Sequence, residues 1–334
     1  MRMERDERRA ERAARSVEAP PETSLIPPDS PLLAWGVFAG DEEAAAYRSC
    51  AAAITAGDLR VGERGLEKAR ARVVEEHLVS PRPGGTWLER VQAERLDTWT
   101  QPRNQRKALL CRAAVGQLRE PIALAPDAFP LLRWLLDKAV DGLPLTDRHY
   151  ISPRLVTEAV ELFGWRADLV GTLTREFDVF PLQSIRELAT REMKAVRRSG
   201  KRLVLTPSGR RMREDQALLW QTAVASIIGQ GHLFTVTARE IMLALLIVNG
   251  PTPAEKLQHQ VIEIMDGEWG APGGIAGSVR DEYYALRHRL WALDCHRPAR
   301  PFDAPFALTS TGITAVKAAV RAYAVRPHSS LGRG

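Results

Sequence analysis

The chain has 334 residues, with 47 Lys or Arg against 41 Asp or Glu, a formal net charge of +6, and an apolar share of 45%. That length suits about two domains with real cores, and the charge favours an anionic partner without requiring one. The three cysteines, Cys50, Cys111 and Cys295, lie far apart and in no C-x-x-C pair, which argues against a disulfide framework and a structural zinc site.

The opening residues, Met1-Arg2-Met3-Glu4-Arg5, are charged and hold no apolar core of a secretory signal. The longest aliphatic run, Ile241 to Val248, is eight residues, too short to cross a bilayer, and is expected as a buried helix. A cytoplasmic protein without membrane contact is expected. Residues 1–16 alternate Arg with Glu and Asp, and Pro20-Pro21, Pro27-Pro28 and Pro31 follow. Proline at that density forbids helix, so 1–30 reads as a disordered tail and Pro-rich linker.

Residues 31–122 read as a helical domain. Asp41-Glu42-Glu43 places acids in a first turn, where they suit the helix dipole, and Ala-rich sequence continues to Ala56 before Gly57-Asp58. Further helices are expected near 62–78, 84–97 and 104–117, each bounded by Gly or Pro. No strand signal stands out.

From Asp127 the texture changes. The helical run Phe129 to Leu136 ends at Asp141-Gly142, and a short strand, Leu143-Pro144-Leu145-Thr146, precedes a helix through Leu155, Val156, Ala159 and Val160. Related phrases recur at Leu205-Thr206-Pro207-Ser208-Gly209 and Leu308-Thr309-Ser310-Thr311-Gly312, each before a helix. The Thr206 helix is expected to run to Trp220, and the Thr309 helix to pass through Val316, Ala319, Val320 and Tyr323. A Thr hydroxyl can accept an N–H from the first turn, so one residue ends a strand and caps a helix. Pro207 fits the first helical position, and a glycine there lets the helix start lie close to neighbouring backbone. The first copy carries His149 in place of that glycine.

The middle copy is the fullest. A helix from about Pro181 to Met193 leads into Val196-Arg197-Arg198-Ser199-Gly200-Lys201-Arg202-Leu203-Val204-Leu205, two strands around a Ser-Gly turn. Helix, basic hairpin and helix is the order of a winged helix-turn-helix. Between Arg186 and Arg213 ten cations (Arg186, Arg191, Lys194, Arg197, Arg198, Lys201, Arg202, Arg210, Arg211 and Arg213) face two acids, Glu187 and Glu192, a local charge of +8. Such residues would serve chiefly on phosphates of duplex DNA; a solvated charged surface is the other reading. The expected fold is mainly α with small β-hairpins: a helical N-terminal domain followed by winged-helix-like repeats. Modules with the basic wing fill 123–222, a C-terminal helical or winged module fills 223–326, and 327–334 is a tail.

The stretches Pro130 to Leu136, Gly142 to Thr146, Leu203 to Arg210 and Ala217-Leu218-Leu219-Trp220 resemble segments of uncharacterised proteins from high-GC bacteria that carry repeated winged-helix-like modules with the Leu-Thr-x-x-Gly phrase. The resemblance covers about 125–225 and, more faintly, 300–325. It implies a fold and not an activity.

Chemical signatures are sparse. Asp178, Glu192 and Lys194 mimic the carboxylate–carboxylate–Lys set that holds Mg²⁺ in one nuclease class, yet that class needs adjacent strands and Glu192 reads as helical. Seven histidines (His77, His149, His232, His259, His288, His296 and His328) show no metal-ligand spacing and are expected as partly exposed, non-functional side chains; Cys295-His296 is a pair without further ligands. The Gly270 to Gly277 stretch lacks a phosphate-loop ending and reads as a connection between helices at 253–267 and 278–293. The eight tryptophans are spread singly, as core residues are. No catalytic residue, metal or cofactor is expected. The function expected is nucleic-acid binding or regulation through 181–213; an interaction scaffold that binds other proteins or itself is the alternative, and a Mg²⁺-dependent nuclease ranks last.

Overall fold

The computed structural model describes residues 38–56, 63–269, 274–298 and 305–327. The expected tails, the Pro-rich linker, the Gly57-Asp58 stop and the first half of the Gly270-to-Gly277 connection lie outside them. Among the described residues are thirteen α-helices and one three-stranded sheet, so the protein is mainly helical. No single helix there is long and apolar enough to cross a membrane. Two compact units emerge: residues 1–99 with 325–334, and residues 100–324.

In the first unit, α1 (Asp41–Ala56), α2 (Glu63–Val79) and α3 (Trp87–Trp99) pack on one another. Ala46, Cys50 and Ile54 recur at helical spacing and meet Val74, Leu78 and Val91. Glu94 of α3 caps α1 from outside, its carboxylate accepting the N–H groups of Glu42 (2.9 Å) and Glu43 (2.8 Å). Arg95 forms a buried ion pair with Glu43 and donates to the Val325 carbonyl (2.7 Å). A buried guanidinium is tolerable only with such partners.

The second unit opens with α4 (Gln105–Val115), which the sequence grouped with the N-terminal helices. It packs on α10 (Leu233–Asn249), and Lys107 pairs with the buried Glu240 at 2.7 Å. The expected boundary at 122 therefore falls inside this unit. The aliphatic run 241–248 lies in α10 and is buried as far as Leu246.

One set of elements is α5 (Pro130–Lys138), β1 (Leu143–Pro144), α6 (Pro153–Leu162), α7 (Phe180–Glu187), a π-turn (Leu188–Glu192), β2 (Val196–Ser199) and β3 (Arg202–Leu205). The sheet is antiparallel in the order β1-β3-β2, with Leu143 and Arg198 both opposite Leu203 and Val196 opposite Leu205. Gly200, at φ +59°, and Lys201 form the two-residue turn of the hairpin, one residue later than the expected Ser-Gly turn, because Ser199 pairs with Arg202 and ends β2. α8 (Pro207–Glu214) and α9 (Gln216–Ile228) follow. The single helix expected to reach Trp220 is broken because Asp215 leaves helical geometry and accepts the N–H groups of Ala217 (2.9 Å) and Leu218 (3.0 Å).

The same order then returns in reduced form. α10, Thr252, α11 (Ala254–Met265), α12 (Ala276–Ala292), His296, the Phe306–Leu308 segment and α13 (Ser310–Ala324) succeed one another. Isolated bridges join Thr252 to Phe306 and His296 to Leu308, so the third segment again lies between the other two.

Two of the three Leu-Thr phrases are the same structure. Thr206 Oγ1 accepts from Gly209 N (3.0 Å) and donates to the Lys194 carbonyl (2.7 Å). Thr309 Oγ1 accepts from Gly312 N (2.9 Å) and donates to the Asp294 carbonyl (2.8 Å). Lys194 and Asp294 both take positive φ, 50° and 53°. The phrase at Thr146 is different: Thr146 and Tyr150 close a turn (Thr146 N to Tyr150 O, 2.8 Å), His149 takes φ +63°, and the next helix waits until Pro153. The sequence reading of three unequal copies of one unit is corrected to two copies and a turn.

Candidate nucleic-acid interface

The ten cations of the 186–213 segment divide by what they touch. Arg186 is structural: its Nη1 lies 2.8 Å from both Glu176 Oε2 and the His149 carbonyl oxygen, and Glu176 is buried. Burial pushes the Glu176 carboxyl up, with Arg186 and the Ile151 N–H (2.6 Å) opposing. Arg202 donates to the Asp141 carbonyl (2.8 Å) beside Gly142 and so ties β3 to the start of β1. Lys201 pairs with Asp147 (2.6 Å), Arg213 pairs with Asp137 (2.7 Å), and Arg210 reaches the Leu205 carbonyl at 3.5 Å.

The remaining five, Arg191, Lys194, Arg197, Arg198 and Arg211, are exposed and have no acidic partner among the described residues. Arg197 and Arg198 stand on β2, opposite Val204 and Leu203, and Lys194 sits at the left-handed residue that enters the strand. The hairpin edge thus presents positive charge that no acid among the described residues neutralises.

The helix before the hairpin is not free. α7 packs on α12, and Phe180 stacks on His288 with centroids 4.9 Å apart and planes 3° from parallel. Glu192 and Arg289 form a bidentate pair at 2.6 and 2.7 Å. Phe180, Ser184, Glu187 and Arg191 share one face of this helix and line a cleft of about 390 Å³ with Ala285 and His288. Sequence reasoning missed this docking, since no local signal links residues 97 positions apart.

The nuclease-like trio does not assemble as two strands. Asp178 ends a 3₁₀ turn, Glu192 lies in the π-turn and is held by Arg289, and Lys194 follows the helix. Among the described residues no three His, Cys, Asp or Glu side chains converge as a metal site. The cysteines are buried, and burial pushes the Cys50 thiol up to about 11 and that of Cys111 to about 12, so neither is a ready nucleophile.

His296 is buried, contrary to the expectation for the histidines. Its Nδ1 lies 2.8 Å from the Ala307 carbonyl and must donate there, while Nε2 accepts from Arg287 Nε at 3.3 Å. Burial lowers its pKa to about 4, so the ring is neutral and fastens the second set of bridges.

Compared with known protein families, curated proteins and solved structures, the chain matches none.

Proposed function

We infer that this is a non-catalytic, cytoplasmic nucleic-acid-binding or regulatory protein built on two winged-helix modules, which contacts the duplex backbone through the hairpin of the first. The helix–strand–helix–helix–hairpin order with sheet order β1-β3-β2 supports the module reading, as does the resemblance to high-GC bacterial proteins noted above. The observation that carries the function is the exposed set Lys194, Arg197 and Arg198 on one hairpin edge, without acidic partners among the described residues, with Arg191 and Arg211 nearby in sequence. Cations in that state bind phosphates with release of counterions and little reading of sequence.

Anisotropy titration of a labelled duplex at two salt concentrations tests this. Binding that weakens steeply with salt, and is lost in the Lys194→Ala/Arg197→Ala/Arg198→Ala protein, supports it. Absence of binding near physiological salt overturns it.

A second reading, an interaction scaffold, is favoured by one observation. In a winged helix α7 would be the groove-reading helix, yet it is occupied by α12 through Phe180–His288 and Glu192–Arg289. On the nucleic-acid reading this limits contact to the backbone; on the scaffold reading the modules bind protein or each other. Salt-insensitive self-association without duplex binding selects the scaffold.

A further inference from the structure

A cavity of about 520 Å³ opens beside β1, walled by the turn that follows that strand and by the 3₁₀ turn Glu176–Asp178. Each wall contributes the same triplet, an arginine two residues before an aromatic: Arg148-His149-Tyr150 and Arg175-Glu176-Phe177. Phe177 is 64% exposed and Tyr150 44%, and neither ring contacts another aromatic ring among the described residues. Arg148 and Arg175 are exposed and have no acidic partner there.

The two walls are clamped in place. Ile151 N donates to Glu176 Oε2 at 2.6 Å, and Arg186 bridges that oxygen and the His149 carbonyl. Glu176 is 1% exposed and borders the cavity, and its other oxygen, Oε1, has no hydrogen-bond partner among the described residues. A buried acceptor without a donor is unfavourable, and an incoming N–H group removes that penalty. The cavity is joined to the hairpin by Lys201 Nζ on Asp147 (2.6 Å) and by Leu145 N on the Lys201 carbonyl (2.8 Å).

We propose that this cavity takes an unpaired base of a nucleic-acid strand, stacked on Tyr150 and Phe177, with flanking phosphates on Arg148 and Arg175 and a base N–H directed to Glu176. The proposal rests on the nucleic-acid reading above. Flat apolar faces alternating with cations match the alternation of bases and phosphates along a single strand, and stacking is tolerant of base identity. An acidic peptide could pair with the arginines but offers no flat ring at every repeat to stack on the aromatics. The cationic hairpin beyond the cavity continues the path for a duplex, so the preferred ligand is a duplex with a single-stranded end.

The test uses the full chain and three labelled ligands: a blunt duplex, the same duplex with a short overhang containing 2-aminopurine, and that overhang with an abasic site. Binding about tenfold tighter to the overhang than to the blunt or abasic forms, with quenching of 2-aminopurine, is expected from one stacked base. Tyr150→Leu and Phe177→Leu, at exposed positions, should erase that difference and the quenching while leaving blunt-duplex affinity within about twofold. Equal binding of all three ligands without quenching overturns the cavity proposal and leaves the hairpin reading standing. If the blunt duplex does not bind, the hairpin reading fails. A 2-aminopurine trinucleotide then decides the cavity alone, supporting it if quenched in a Phe177-dependent way and overturning it if not.

Discussion

Gly209 lies so close to Ala195 that a β-carbon built on it would stand 1.9 Å from the Ala195 carbonyl oxygen, and Gly312 stands in the same relation to Cys295. In both places that carbonyl also accepts the N–H of the capping threonine, Thr206 at 2.9 Å and Thr309 at 3.0 Å. Absence of a side chain brings the first turn of α8 or α13 onto the strand entry, and the threonine holds it there. Neither glycine has positive φ, so close approach and not backbone freedom is what excludes other residues. Gly209→Ala and Gly312→Ala should each destabilise the protein by about 3 kcal/mol, because backbone must move to admit the methyl group. Denaturant midpoints check this; an unchanged midpoint contradicts the contact.

His296 makes the stability of the second unit depend on pH. Its folded value is lowered to about 4 from the ordinary 6.5, so the unfolded chain binds the proton more tightly. Stability from this group is complete above about pH 6.5 and is lost as pH falls towards 4, a difference of about 3 kcal/mol. Denaturation measured from pH 7 to pH 4 should show this slope in the wild type and a flatter one in His296→Gln.

Arg186 and Arg197 belong to one charge cluster in sequence but should behave as different kinds of residue. Arg186→Ala removes the partner of the buried Glu176 and should cost about 2 kcal/mol of stability. Arg197→Ala lies on an exposed strand position and should change stability by less than about 0.5 kcal/mol while weakening duplex binding. Thermal unfolding set beside binding for each variant separates the two roles; a stable Arg186→Ala protein with impaired binding would reverse the assignment.

The Glu192–Arg289 pair should hold α7 to α12. Glu192→Gln replaces a bidentate, partly buried ion pair with a neutral contact and should destabilise by about 1–2 kcal/mol. Hydrogen exchange should quicken in the π-turn and at the end of α12 before it does elsewhere in the unit. Unchanged exchange at both places would mean that the pair contributes little.

The salt dependence of duplex binding gives a count of contacts. Each phosphate neutralised contributes about 0.9 to the slope of log K against log salt, so the triple Ala variant at Lys194, Arg197 and Arg198 should flatten the slope by about 2–3. Lys201→Ala breaks a pair with exposed Asp147 and should alter the slope by less than one cation's share.

Much of this protein is legible in its sequence. An acidic first turn, Ala-rich sequence and Gly or Pro boundaries placed α1 to α4 within a few residues, and apolar spacing did so for α5 to α7, because burial of one face acts at spacings of three and four. Gly200 marked the hairpin through its backbone need, though the turn is Gly200-Lys201 and not Ser199-Gly200, and Thr206 and Thr309 were recognisable as caps because capping involves only the next three residues. The concentration of charge between Arg186 and Arg213 was plain by inspection. Tertiary structure alone decided the rest. It made Thr146 a turn and not a cap, since His149 stands where a glycine would be needed for close approach to backbone. Segments far apart in sequence had to meet before Lys201 and Arg213 found their acids, and before α7 found α12. The charge cluster is therefore a property of the sequence, while the division between the cations that hold the fold and the five without an acid among the described residues is a property of packing.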